Sequence, residues 1–92
     1  MFDYDFSEAL RLKIKKLAKK DRKKALIIKK KADEIIKSSP EAIGHYKNLK
    51  NELSGLKRVH IDRHFVLTFR VDIERKFILF VDFDHHDKVY GN

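Results

Sequence analysis

Four of the five histidines, His60, His64, His85 and His86, lie between Gly55 and Gly91, together with Arg58, Asp62, Arg70, Asp82 and Asp84. Imidazole gives or takes a proton near neutral pH, and a guanidinium or ammonium group stabilises negative charge developing on a phosphate. These residue types suit acid/base chemistry on a phosphate ester. A metal centre is a competing reading of Asp82-Phe83-Asp84-His85-His86-Asp87, with His60 or His64 to complete a site. Against it, the spacing fits no helical or knuckle zinc motif, and adjacent histidines on a strand point to opposite faces. We expect neither a metal nor a cofactor. P-loop, dinucleotide and catalytic-triad signatures are absent.

Three successive runs of alternating apolar and polar residues must position these groups. In the first, Val59 and Ile61 share a parity, which sends Arg58, His60 and Asp62 to the other side. In the second, Phe65, Leu67, Phe69 and Val71 oppose His64, Val66, Thr68 and Arg70. In the third, Phe77, Leu79, Val81 and Phe83 oppose Ile78, Phe80, Asp82, Asp84 and His86. With the more apolar sides under helices, the other sides converge on a polar face carrying Arg58, His60, Asp62, His64, Arg70, Asp82, Asp84 and His86. A turn from Asp72 to Lys76 makes the second and third runs a hairpin.

Upstream, Phe2, Tyr4 and Phe6 alternate with Asp3 and Asp5, the pattern of a short first strand that joins the later ones. Ser7 then caps a helix with the stripe Leu10, Ile14, Leu17, running to about Lys20. The stripe breaks at Asp21 and restarts as Ala25, Ile28, Ala32, Ile35, Ile36, giving a second helix and a helical hairpin. Ser38-Ser39-Pro40 ends it. The connection that follows reads as a loop with a short helical turn and brings His45, Lys47 and Lys50 toward the sheet. The expected fold is α+β: one small domain over residues 1–92, in the order strand, helix, helix, three strands, with an antiparallel sheet packed on the hairpin.

The chain has 92 residues, enough for one core and too few for a deep cleft between domains. It is 42% hydrophobic and 39% charged, a soluble globular composition, and its lack of cysteine rules out disulfides and Cys-based zinc or redox motifs. The net charge of +8 points to a polyanionic or acidic partner. Between Arg11 and Lys31 twelve Lys/Arg residues face the single acid Asp21, a solvated helix surface or a nucleic-acid contact surface. No apolar run is long enough to span a bilayer, and the first ten residues are acidic where a secretory signal is basic, so the expected location is the cytoplasm with no membrane partner.

This order of elements, with Leu53-Ser54-Gly55-Leu56-Lys57-Arg58-Val59-His60-Ile61, then Val66-Leu67-Thr68-Phe69-Arg70 and a closing Asp84-His85-His86-Asp87-Lys88-Val89-Tyr90-Gly91, resembles the RelE/ParE toxin superfamily, and within it the YafQ-like branch of RelE-type mRNA interferases. The resemblance matches Gly55 to the glycine before the second strand, His60 and His86 to active-site histidines, and Tyr90 to an aromatic near the end. The sequence departs from the branch at His64, where the pattern is acidic, and at Lys47, near another histidine of the pattern. What the resemblance implies is a type II toxin, a metal-independent endoribonuclease that cuts mRNA in the ribosomal A site by attack of a 2′-hydroxyl on the adjacent phosphate. It implies proton transfer by His60 and His86, charge stabilisation by Arg58, Lys57 and Lys50, and Tyr90 stacking on a base or holding the phosphate. Lys47, Lys50, Arg70 and His64 would bind RNA, and the partners would be the ribosome, mRNA and an acidic RelB-like antitoxin. The ParE side of the superfamily offers the alternatives of a DNA gyrase inhibitor or an inactive member that binds only antitoxin or RNA.

Overall fold

The computed structural model describes residues 1–48 and 55–90, Tyr90 by its backbone alone. The elements run β1 (Asp3–Phe6), α1 (Glu8–Lys20), α2 (Arg22–Ile36), α3 (Pro40–Gly44), β2 (Lys57–His60), β3 (Phe65–Asp72), β4 (Phe77–His85) and α4 (His86–Tyr90). The helix ends follow from short polar side chains. Ser7 is extended, and its Oγ accepts the Leu10 N–H at 3.1 Å, satisfying one of the donors left open in a first turn. Asp21 closes α1 by donating its N–H to the Leu17 carbonyl and opens α2 by accepting the Lys24 N–H at 3.0 Å. One residue therefore makes the turn of the hairpin. Ser39 caps α3 in the same way, with Pro40 at the first helical position, where a missing N–H costs nothing.

Ser7 also ties the first helix to the sheet. Its N–H donates to the Phe80 carbonyl at 2.8 Å and its hydroxyl donates to the Val81 carbonyl. Losing the cap and this strand link together, Ser7→Ala is expected to lower stability by about 2 kcal/mol, measured by urea unfolding.

The four strands lie in the order β1-β4-β3-β2. β2, β3 and β4 pair antiparallel as expected, whereas β1 runs parallel to β4, so the sheet is mixed. Alternation encodes the faces of a strand and not the direction of its neighbour. The α1–α2 hairpin covers one face. Leu10, Ile28 and Ile35 from the helices and Leu67, Phe69, Ile78 and Phe80 from the sheet are fully buried there, joined by Phe2, Ile43 and Phe83. Each contributes on the order of 1.5–3 kcal/mol of burial.

The expected grouping of β4 changes at a bulge. The pairing passes from Phe69 opposite Phe80 to Thr68 opposite Asp82, leaving Val81 as an extra residue. Ile78 and Phe80 therefore face the helices before the bulge and Phe83 does so after it, while Leu79 and Val81 fall outside the core. The opposite face is not wholly polar either. Val66 and Thr68 are buried at 0% and 4% exposure on a surface that Leu56 and the Val89 of α4 share. Of the twelve Lys/Arg residues from Arg11 to Lys31, the nine Arg11, Lys15, Lys16, Lys19, Lys20, Arg22, Lys23, Lys29 and Lys30 are exposed, as both a solvated helix surface and a nucleic-acid contact surface require.

Candidate active site

His60 ends β2 and Arg58 lies two residues before it, so the strand period sets both on the face away from the helical hairpin. Their partners across β3 are Val66 and Thr68. β4 ends at His85, and His86 opens α4 with its N–H donated to the His64 carbonyl at 2.6 Å. That bond holds the start of α4 against the β2–β3 turn and brings the two imidazoles together. The His60 and His86 rings lie 5.6 Å apart, 25° from parallel. His60 is exposed and the His86 side chain is 43% exposed, so both are reachable from solvent.

The neighbouring histidines diverge, as adjacent residues at a strand end must. His85 lies 5.4 Å from Phe65, edge to face, and 5.9 Å from His64 with parallel rings. Its Nδ1 accepts the Asp87 N–H at 3.2 Å. The Asp87 carboxylate lies 3.7 Å from Nδ1 of both His85 and His86.

Not every expected member joins the pair. His64 presents its ring to His85 and not to His60, and Asp62 turns toward α2, 3.9 Å from the Lys24 ammonium. Both sit in the turn between β2 and β3, where the two-residue period of a strand no longer holds. Lys57 has the parity of Val59, and its ammonium donates to the Tyr46 carbonyl at 3.1 Å and to Asn48 Oδ1 at 3.3 Å. The strand period thus takes Lys57 away from the His60–His86 pair, correcting its expected place beside Arg58. Lys47 is exposed next to β2, with its carbonyl accepting the Arg58 N–H at 2.9 Å. Arg70 shares the face of Arg58 and His60 but sits four residues along β3 from Val66, about 13 Å away. Its guanidinium approaches Gly55, where a Cβ would stand 2.9 Å from Nη1 and displace only a flexible side chain. Lys50 and the side chain of Tyr90 lie outside the described residues.

A feature that spacing does not announce ties α1 to β4. Lys13 of α1 reaches β4 beyond the end of β1, with Nζ 2.8 Å from Asp82 and 3.2 Å from Asp84, and donates to the Phe83 carbonyl. Burial alone would raise the Asp84 carboxyl, but the His85 N–H and the Lys13 ammonium hold it below its usual 3.8. Burial alone would lower the Lys13 ammonium, yet the hydrogen bonds to Asp82 and Asp84 raise it above 10.5. The sign follows for each group. The Asp84 contribution is present above its ordinary value and is lost as pH falls through the depressed one, and the Lys13 contribution is present below 10.5 and is lost as pH rises through the raised one. Because Lys13 and Asp82 are two-fifths exposed, Lys13→Met is expected to lower stability at pH 7 by no more than about 1 kcal/mol. Urea unfolding of parent and variant should show that difference shrinking once the solution is acid enough to protonate Asp84.

Among the described residues, no group of three or more His, Cys, Asp or Glu side chains could hold a metal ion. A pocket of about 210 Å³ on the His60 side is lined by Leu56, Val66, Thr68, Val81, Asp82, Asp84, Lys88 and Val89, so the helix that carries His86 also helps to form it. What the arrangement supplies is a pair of reachable imidazoles with a guanidinium on the same sheet face.

No family model matches the chain. Its sequence is 46% identical over 90 residues, 98% of this chain and 92% of the relative, to the "Putative toxin RelE4" of Methanocaldococcus jannaschii. The chain belongs to the RelE-type toxin family. Two solved structures show the RelE-type fold it shares. YafQ from E. coli superposes with a TM-score of 0.74 over 99% of this chain and 100% of that one, at 19% identity. The toxin–antitoxin complex RelBE2 of Mycobacterium tuberculosis gives 0.72 over 92% and 98%, at 21% identity. The α+β architecture of this RelE-type chain, expected from its sequence, is the architecture of both.

Proposed function

We propose that this RelE-type chain is the toxin of a type II toxin–antitoxin pair, a ribosome-dependent endoribonuclease that cuts mRNA in the A site. The observation that carries the reading is the His60–His86 pair, 5.6 Å apart on the face that also bears Arg58. One imidazole takes the proton of a ribose 2′-hydroxyl as its oxygen attacks the adjacent phosphorus. The other protonates the 5′-oxygen as the P–O bond breaks, leaving a 2′,3′-cyclic phosphate on one fragment and a 5′-hydroxyl on the next. Arg58 stabilises the charge that builds on the phosphoryl oxygens between these events. This scheme needs no metal.

Lys47 and Arg70 extend the basic surface on either side of Arg58 and would bind the RNA backbone, with Lys50 continuing from Lys47 along the chain. His64 holds His86 through its carbonyl and offers RNA an exposed ring. Tyr90 would stack on a base. Most lysines of α1 and α2, Lys13 and Lys24 apart, face outward, where ribosomal RNA would be the larger anion, and the chain would act where ribosomes are, in the cytoplasm. No helix among the described residues is long and apolar enough to cross a membrane. An acidic antitoxin would complement the net charge of +8, and the mycobacterial relative in fold is a toxin–antitoxin complex. Primer extension on cellular mRNA after induction tests the reading. It predicts new ends within codons of translated messages, and unchanged messages with altered DNA supercoiling would replace it with gyrase inhibition.

A further inference from the structure

Of the four clustered histidines, His85 alone has no task in the cleavage scheme, yet three neighbours hold its ring. It ends β4 and stands immediately before α4, where a side-chain acceptor can satisfy an N–H of the helix's open first turn. His85 Nδ1 does so for Asp87, the second residue of α4, at 3.2 Å. An imidazole nitrogen accepts only while it carries no proton, so the ring proton sits on Nε2. Phe65, opposite His85 across the sheet, meets the ring edge to face at 5.4 Å, and His64 of the β2–β3 turn lies parallel to it at 5.9 Å. The residue that follows is His86.

We propose that His85 is a positioning residue: its neutral ring caps α4 and so holds His86 against His60. The effect on cleavage rests on the ribonuclease reading; the cap and the place of His86 do not. With five residues, α4 is too short to hold its own shape, so its anchors decide where it lies. Those anchors are the His86 N–H on the His64 carbonyl, Val89 at the pocket beside Val66, and the His85 cap. His86 is the first residue of the capped turn, so the 5.6 Å between its ring and that of His60 follows from how that turn is held. The same atom makes the cap sensitive to protons. Once protonated, Nδ1 donates and can no longer accept the Asp87 N–H. The Asp87 carboxylate, 3.7 Å away, then offers it an ion pair instead. That carboxylate is also 3.7 Å from His86 Nδ1, so charging His85 competes for it. The charged groups around the ring pull both ways. Asp84 of β4 accepts the His85 N–H at 2.8 Å while paired with Lys13 of α1 and Lys88 of α4, a His64 imidazolium would repel a second one, and Lys24 of α2 lies over the Phe65 ring at 4.0 Å. The cap is therefore present with His85 neutral and is lost as pH falls through the imidazole range.

Asparagine separates capping from the ring, since its Oδ1 is bonded to Cγ as Nδ1 is in histidine, accepts the same N–H and does not titrate. The test compares the parent, His85→Asn and His85→Ala as full chains with matching circular dichroism. In NMR spectra at about pH 8, where imidazoles are neutral, the parent is expected to show the Nε2–H form of His85 and a nuclear Overhauser contact between the His60 and His86 rings. That contact should persist in His85→Asn and weaken at least about threefold in His85→Ala. On translating ribosomes His85→Ala should lose about tenfold in kcat with KM unchanged within about twofold, and His85→Asn should recover all but about twofold of the loss. The acid limb of the pH–rate profile should be shallower for His85→Asn than for the parent, one protonation having been removed. An Nδ1–H form of His85, a ring contact indifferent to alanine at this position, an asparagine variant no better than the alanine one, or identical acid limbs would each overturn it. Ring contacts that follow the cap in a chain that leaves mRNA intact would uphold the positioning and remove the nuclease reading.

Discussion

Replacing either His60 or His86 with alanine is expected to slow mRNA cleavage on translating ribosomes by about 10²–10⁴-fold, or about 3–5 kcal/mol of transition-state stabilisation. The expectation comes from roles and not from folding, because one ring is exposed, the other is half-exposed, and neither belongs to the core. Their rings lie 5.6 Å apart, close enough for both to serve one phosphodiester in the proposed scheme. Two groups acting in one transition state are not additive, and the double variant should be no more than about tenfold slower than the worse single one. His45→Ala is the control. His45 is exposed at the end of α3, and its loss should leave the rate unchanged. Single-turnover cleavage, with thermal unfolding of each variant alongside, separates lost chemistry from lost structure.

Phe80→Ala carries the largest expected cost to stability. Phe80 is fully buried where β1, β3 and β4 meet, stacked on Phe6 at 4.9 Å, 6.0 Å from Phe69 and 6.5 Å from Tyr4. Removing it strips contacts from three rings and leaves a cavity that a four-stranded sheet cannot close, a loss of about 3–5 kcal/mol. Domains of this size hold about 5–15 kcal/mol in all, and each kilocalorie moves Tm by about 4–8 °C. A fall in Tm of more than about 12 °C by circular dichroism is therefore expected. Phe80→Leu keeps most of the volume and should cost less than half as much.

Much of the architecture follows from the sequence because local chemistry dictates it. Ser7, Asp21 and Ser39 cap their helices through their own side chains, and the stripe Ala25, Ile28, Ala32, Ile35, Ile36 is the buried side of α2. The bulge at Val81 was not legible, since an extra residue exists only relative to the register of a partner strand. It moved Phe80 into the core from the side assigned to polar groups. Parity placed Arg58 and His60 correctly and failed for Asp62 and His64, where the strand had become a turn. The meeting of His86 with His60 needed the His86–His64 backbone bond as well as parity, because His86 belongs to α4 and not to a strand. Lys13 lies 71 residues from Asp84, so nothing in the local sequence could join them.

The central claim is that the His60–His86 face cuts message only when a ribosome presents it. The most direct measurement adds the purified chain to defined translating ribosomes and maps the fragment ends. The account predicts cleavage within the A-site codon, 2′,3′-cyclic phosphate and 5′-hydroxyl ends, undiminished rate in the presence of a chelator that spares the ribosome, and little cutting of the same message free in solution. Intact message on the ribosome, equal cutting of naked RNA, or 3′-hydroxyl and 5′-phosphate ends would contradict it.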